Sequence, residues 1–285
     1  MTESEEPNRQ VISNMKDILE EIVAYKRIEV ERFKEVLPEC DIHRRVEQIM
    51  YNAPAPASMC EAVRTSATGI IAEFKRKSPS RGWIKEEGKA DVIPLAYQQN
   101  GAAAVSILTD EHFFGGSDKF VTKARGSGLT VPVLYKNFVI DEYQLFQARL
   151  CGASAVLLIA ADLKKEQFRS LAHTAHELQL DVLLEMHSEQ ETEFIDFADL
   201  SRDMCGVNNR NLGTFVTDVQ NSFRLASRLP QEACMVSESG ISDPNTVKAL
   251  RMAGFKGFLI GETFMKTDSP GKALREFVNE LQVGN

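Results

Sequence analysis

The 285-residue chain has little of what marks several protein classes. It contains no Gly/Ser tract, no Pro-rich spacer and no long block of one charge, so no linker divides it. Its longest apolar stretch, Ala155 to Ala161, is far too short to span a bilayer. The opening Met1-Thr2-Glu3-Ser4-Glu5-Glu6-Pro7 is acidic and carries no hydrophobic run, which argues against a secretory signal and predicts a cytoplasmic protein. Five cysteines (Cys40, Cys60, Cys151, Cys205 and Cys234) fall at no paired spacing, so reduced thiols are expected rather than a disulfide framework. No zinc, P-loop or dinucleotide motif is present, and neither a metal nor a cofactor is expected. Basic residues (33) are outnumbered by acidic ones (41), for a net charge of -8. That balance disfavours a general nucleic-acid partner, and an anionic ligand would need a positive site of its own.

What the chain does have is eight short apolar runs. They are Ile70–Phe74, Ala104–Leu108, Val131–Tyr135, Ala155–Ile159, Asp181–Leu184, Met204–Val207, Cys234–Val236 and Gly257–Ile260, starting roughly 23 to 34 residues apart. Helical patterns lie between them, as at Asp141–Leu150 and at Lys164–Leu178, where Phe168, Leu171, Ala172, Ala175 and Leu178 keep helical spacing. Near-continuous apolar strands alternating with helices predict a parallel sheet covered by helices. Eight such units closed on themselves make a (β/α)8 TIM barrel. An open doubly wound sheet is the competing architecture, but it seldom needs eight strands and its glycine fingerprint is missing. The expected organisation is α/β, a single barrel domain over residues 1–285 with residues 1–65 as an N-terminal helical extension. Met15, Ile18, Leu19, Ile22, Tyr25, Phe33 and Leu37 keep helical spacing in that extension. Ser13 or Asn14 is the expected cap, and Pro38, Pro54 and Pro56 break the helical pattern beyond Leu37. The extension either plugs the bottom of the barrel or roofs its active face.

Several runs end in a charged or amide residue. Glu73 and Lys75 alternate onto one face at the end of the first strand. Lys136, Glu185 and Asn208 follow the third, fifth and sixth runs, with Arg210 two positions after Asn208. Taken singly, Glu73 and Lys75 read equally as a structural ion pair, Lys136 as a lysine reaching out of the barrel mouth, and Asn208 and Arg210 as a capping network. Active groups of this fold come from the C-terminal strand ends, so together they predict one dehydrated pocket of lysines and glutamates that shift one another's pKa values. That is an arrangement for general acid–base work. Ser239-Gly240 after the seventh run and Gly261-Glu262 after the eighth stand where barrels commonly bind phosphate, with Glu262–Lys266 a candidate extra helix. Two ordinary turns are the plain alternative. Phe114-Gly115-Gly116-Ser117 is a flexible turn after the second strand, Trp83 stands alone after the first, and His187 reads as a helix-start residue. His173 and His176 lie on an amphipathic helix with no third ligand evident.

The segment Ile71-Ala72-Glu73-Phe74-Lys75-Arg76-Lys77-Ser78-Pro79-Ser80-Arg81-Gly82 resembles the signature of the indole-3-glycerol-phosphate synthase family of tryptophan biosynthesis. Further likenesses occur in order along the chain: Ser106–Glu111 with Phe114, Lys136-Asn137-Phe138 with Asp141, Leu157–Ile159, Leu184–His187, Gly206–Leu212, Ser237–Ile241 and Leu259–Glu262. They span residue 14 to the C-terminus.

The resemblance implies a cofactor-free lyase. It would convert a phosphorylated small molecule, 1-(2-carboxyphenylamino)-1-deoxyribulose 5-phosphate, into indole-3-glycerol phosphate with release of carbon dioxide and water. It implies that Lys136 is the general acid on the ribulose carbonyl, and that Lys75 holds an anionic end of the substrate and acts in dehydration. Glu185 would act on the substrate nitrogen or hydroxyl, Glu73 and Asn208 would position the reacting groups, and Ser239 would sit beside them. Ser78, Arg210, Glu238, Gly240, Gly261 and Glu262 fall at binding positions, and Phe114, Phe138, Leu157 and Ile159 form the apolar slot for the anthranilate ring. Association with other tryptophan-pathway enzymes is compatible with this role. The chain departs from the family where Tyr135-Lys136-Asn137 replaces a common Arg-Lys-Asp, and where Gly115 replaces a common Gln or Asn.

Overall fold

The computed structural model describes residues 6–211 and 216–283, with residues 6–17 through their backbone only; the Met15 side chain and Leu212 therefore lie outside the described residues. Eight parallel strands close into a barrel: β1 (Ile70–Phe74), β2 (Ala104–Leu108), β3 (Val133–Lys136), β4 (Ala155–Ile159), β5 (Asp181–Met186), β6 (Met204–Asn208), β7 (Cys234–Glu238) and β8 (Gly257–Ile260). Each pairs with its neighbours in sequence, and β8 returns to β1 through Ile70↔Phe258 and Ala72↔Ile260. The register sets polar residues at similar heights, with Leu108 opposite Lys136, Ile159 opposite Glu185 and Asn208 opposite Glu238.

The strands read as continuous apolar runs because both faces are buried. Inward-facing Ile71, Ala104, Leu134, Ala155, Leu157, Leu183, Met204, Cys234, Val236 and Leu259 fill the barrel. The outward-facing residues pack under the helical shell. That shell includes α4 (Ile93–Gln99), α5 (Asp118–Gly126), α6 (Glu142–Cys151), α7 (Lys165–Glu177), α8 (Gln220–Ala226), α9 (Pro244–Met252), α10 (Glu262–Met265) and α11 (Pro270–Gln282). Local chemistry fixes their ends. Asp141 and Gln144 form a reciprocal capping box on α6, Ser117 caps α5, and Asp243 caps α9 ahead of Pro244. The segment after β5 is a 3-10 helix, Glu189–Phe197.

The extension does both things foreseen for it, with different helices. The first, α1 (Glu6–Val36), begins well before Ser13 and Asn14, so those residues are interior and not the cap expected of them. Pro38 separates it from α2 (Glu39–Asn52), which packs on α6 with His43 stacked on Phe146 at 3.8 Å between ring centroids. The third helix, α3 (Met59–Thr65), plugs the bottom. Asp181, at the first residue of β5, accepts hydrogen bonds from Ser58 Oγ (2.7 Å) and from the amides of Met59 (2.7 Å) and Cys60 (3.1 Å). Met59, Cys60 and Val63 then join the interior cluster of the barrel. At the opposite end α1 crosses the mouth. There Lys26, 1% exposed, donates to Asp110 Oδ2 at 2.7 Å and pairs with Glu29. Asp110 Oδ1 accepts from the amides of Phe113 and Phe114, so this buried pair fixes the loop after β2 to the extension.

Candidate active site

The C-terminal strand ends surround a cavity of about 400 Å³. Every site residue singled out from the sequence lines it, from Glu73 on β1 to Glu262 after β8. Its floor is a chain of buried charges. Lys136 Nζ donates to Glu185 Oε2 at 2.8 Å and to Glu238 Oε2 at 2.9 Å. Asn208 Nδ2 donates to Glu185 Oε1 at 3.1 Å. Glu73 and Lys75 form an ion pair at 2.5 Å, as their alternation on one strand face requires. At the opposite end of β5 the buried Asp181 serves the α3 plug instead, so the lysine–glutamate cluster is confined to one rim.

Burial opposes each of these charges, and the neighbours decide the outcome. For Lys136, desolvation is outweighed by Glu185, Glu238 and Glu73, which hold the ammonium above its ordinary value. For Glu185, desolvation is outweighed by Lys136 and His187, so its carboxylate lies well below the usual range. Glu238 goes the other way: burial and the charge on Glu185 overcome the attraction of Lys136 and push it up to about 7. Two carboxylates on one ammonium thus separate into a firm anion and a group that takes a proton near neutrality. Glu238, expected among the binding positions, lines the cavity against Lys136, and its Oε1 has no protein hydrogen-bond partner among the described residues.

The rim carries the anion-seeking features. Ser239 and Gly240 follow β7 with φ of 67° and 76°, two consecutive residues in the left-handed region. A side chain at Gly240 would stand 2.5 Å from Thr217 Cγ2. Gly261 lies flat against Glu73, where a Cβ would collide with the carboxylate. The segment after it forms α10, the short extra helix expected there. Glu262 at its start is flanked by Arg81 (3.4 Å) and Arg210 (3.6 Å), and Arg210 Nη1 also donates to Ser80 Oγ at 3.0 Å. Ser78 is buried with its Oγ unpartnered. On the apolar side, Phe114 and Phe138 face each other with centroids 6.1 Å apart, beside Leu157 and Ile159.

Three groups escaped the sequence reading. Ile18, Leu19 and Ile22 of α1 line the same cavity, so this helix contributes apolar wall to the mouth. His187 is no mere helix-start residue: its Nε2 lies 3.2 Å from Glu185 Oε1 and its Nδ1 3.6 Å from Glu191 Oε2. Its position two residues after Glu185 was the available signal. Trp83 explains Gly115. The glycine has φ of 60°, and a Cβ there would meet the indole ring at 2.9 Å. The ring lies within cation–π range of Arg76 (5.3 Å) and Lys77 (5.8 Å). His173 lies 3.5 Å from Glu177 on its own helix, and His176 binds the buried Asp203 at 2.8 Å. No cluster of three or more His, Cys, Asp or Glu among the described residues is arranged to hold a metal ion.

A family model described as indole-3-glycerol phosphate synthase matches residues 19–277. The chain belongs to the indole-3-glycerol phosphate synthase family. Its relatives include the indole-3-glycerol phosphate synthase of Bacteroides thetaiotaomicron, 56% identical over 268 residues, covering 94% of this chain and 100% of the relative. Another, from Acidithiobacillus ferrooxidans, is 40% identical over 265 residues, covering 92% and 98%. Among solved structures, 3-hexulose-6-phosphate synthase from Salmonella typhimurium superposes with a TM-score of 0.58 at 14% identity, over 75% of this chain and 98% of that one. KGPDC from Streptococcus mutans gives 0.56 at 9% identity, over 75% and 96%. These two share the barrel fold with this member of the synthase family.

Proposed function

We propose that the rim cluster closes an indole ring by acid–base chemistry. The chain is a decarboxylating lyase of its family, taking 1-(2-carboxyphenylamino)-1-deoxyribulose 5-phosphate to indole-3-glycerol phosphate, carbon dioxide and water. The observation that carries the division of roles is the ammonium of Lys136 held between Glu185 and Glu238, above an apolar slot and beside a glycine-rich rim.

The carboxylated ring enters between Phe114, Phe138, Leu157 and Ile159, and the phosphate lies at Ser239-Gly240, Gly261 and Arg210, with Ser78 and Glu262 beside it. Anchoring both ends bends the substrate so that the ring carbon bearing the carboxylate meets the ribulose carbonyl. As that carbon–carbon bond forms, the carbonyl oxygen gains charge and Lys136 gives it a proton. Carbon dioxide leaves, its bonding pair returns to the ring system, and the new hydroxyl then departs as water. In the dehydration Lys75 protonates the departing hydroxyl and Glu185, beside the substrate nitrogen, takes up the proton released; the hydrogen lost overall is one on the methylene carbon next to that nitrogen, so the indole keeps its N–H. Glu73 and Asn208 hold Lys75 and Glu185, and Glu238, titrating near neutrality, is suited to reprotonate Lys136. No electrons are gained or lost overall, so the balance calls for no electron carrier.

The test is to add substrate to the purified protein and monitor indole absorbance. Its appearance supports the proposal. Isomerisation of a phosphorylated aminosugar without indole would favour a different phosphate-binding barrel, and no reaction would favour a binding subunit. The same proposal treats residues 1–285 as one domain, checked by a single cooperative unfolding transition. It also places the chain in the cytoplasm, consistent with free cysteines and with no described helix long and apolar enough to cross a membrane. Association with other tryptophan-pathway enzymes is checked by co-elution.

A further inference from the structure

The floor of the cavity is short of positive charge. Glu73, Glu185 and Glu238 are carboxylates, whereas Lys75 and Lys136 are the ammoniums paired with them. Such a deficit is met by a carboxylate taking up a proton, as Glu238 does near neutrality, or by a further cation set against the one that stays ionised, Glu185. His187 lies there. Its side chain is 13% exposed and does not line the cavity, so it reaches the substrate only through Glu185. One ring nitrogen faces Glu185 and the other faces Glu191, which also accepts the His187 backbone amide at 2.6 Å.

We infer that His187 is a positioning residue: its imidazolium, at ion-pair distance from both Glu185 and Glu191, holds Glu185 ionised and turned so that Oε2 meets Lys136 while Oε1 meets Asn208. The inference rests on the ring-closing role proposed for Glu185 and adds the group that keeps that carboxylate ready.

Each element packed on the ring contributes. Glu185 comes from β5 itself and Glu191 from the 3-10 helix after it. Asp162, in the short 3-10 turn after β4 (Ala160–Asp162), adds a buried carboxylate with no hydrogen-bond partner, and Glu185 is among the charges that burial and electrostatics set against it. From α8, Asn221 Nδ2 donates to the His187 carbonyl at 3.1 Å and to the Asn208 carbonyl at 3.0 Å, tying the loops after β5 and β6 together. Burial disfavours the ring's charge, but the two glutamates more than offset this and raise its pKa to about 10. The ring is therefore a fixed cation at neutral pH.

Removing that cation lets Glu185 bind a proton more easily, so the ionised form is lost at a higher pH. His187→Leu should move the acid limb of kcat/KM upward by about one pH unit or more. It should also lower kcat about ten- to hundredfold near neutrality, the scale of a misaimed catalytic group, with little change in KM. His187→Gln keeps a donor near the Nε2 position without the charge; it should recover part of kcat but keep the displaced limb. Glu191→Gln, which leaves the Glu185 contact in place, should shift the limb in the same direction by less. Imidazole nitrogen NMR of the wild-type enzyme should show a ring still protonated at pH 8. A neutral ring at pH 8, or an unmoved acid limb in His187→Gln and Glu191→Gln, would overturn the inference even if His187→Leu fails to fold. Indole formation by the wild-type protein tests the underlying reaction separately.

Discussion

Lys136→Met removes the centre of the cluster while keeping a side chain of similar length. In the wild-type protein the ammonium satisfies Glu185 Oε2 at 2.8 Å and Glu238 Oε2 at 2.9 Å, and it is the group placed to protonate the carbonyl. Losing a general acid costs about 10² to 10⁴ in turnover, or about 3 to 5 kcal/mol of transition-state stabilisation. The substitution also strands two buried carboxylates. Deleting one member of a buried ion pair typically destabilises by about 3 to 5 kcal/mol, but Glu238 already titrates to about 7 and can discharge itself by binding a proton. The stability loss should therefore fall at the low end and grow as pH rises above 7. Lys136→Met/Glu238→Gln should regain most of that stability without regaining turnover. Steady-state rates of indole formation, with urea unfolding at pH 6 and pH 8, measure both quantities. Turnover of Lys136→Met within tenfold of wild type would remove Lys136 as the acid. Recovery of turnover in the double variant would show that the loss lay in folding, not chemistry.

The same geometry sets other outcomes. Gly240→Val forces a side chain into left-handed backbone and against Thr217, so KM should rise far more than kcat falls, and inorganic phosphate should protect the variant less than wild type in thermal melts. Gly115→Asn should displace Trp83. As the chain's single tryptophan, its emission should shift to the red, and the loss in kcat/KM should be partly relieved in Gly115→Asn/Trp83→Ala. His187 has a folded pKa of about 10, raised from the ordinary imidazole value. Its stabilisation is complete below about pH 6.5 and is lost as pH climbs towards 10. Urea unfolding between those limits should therefore show a downward slope in wild type that is reduced in His187→Leu.

The barrel and its reactive rim were legible because both depend on the shortest period in the chain. A strand buried on both faces is apolar throughout, so Glu73, Lys75, Lys136, Glu185 and Asn208 stood out as interruptions at one end. What stayed hidden depends on contacts between distant segments. Nothing near Lys26 announces that it is buried on Asp110, 84 residues later. Helical periodicity located α1 but not its start, since Ser13 and Asn14 cap a helix only where the chain begins one, and this helix begins at Glu6. It also could not say that α1 goes to the mouth and α3 to the bottom of the barrel. The setting of His187 is hidden because its partner Glu191 approaches where the next segment coils as a 3-10 helix. Gly115 makes room for Trp83, a contact that no local spacing encodes.

The stopper made by Met59, Cys60 and Val63 has a consequence for traffic. Among the described residues the far end is packed by side chains that are essentially inaccessible to solvent, which leaves the mouth as the way in and out. On the proposed placement of the phosphate, carbon dioxide and water leave through the opening that admits the substrate, past the indole product anchored there. Small products then escape before the large one, and the reverse reaction is starved of carbon dioxide while the new ring is still inside.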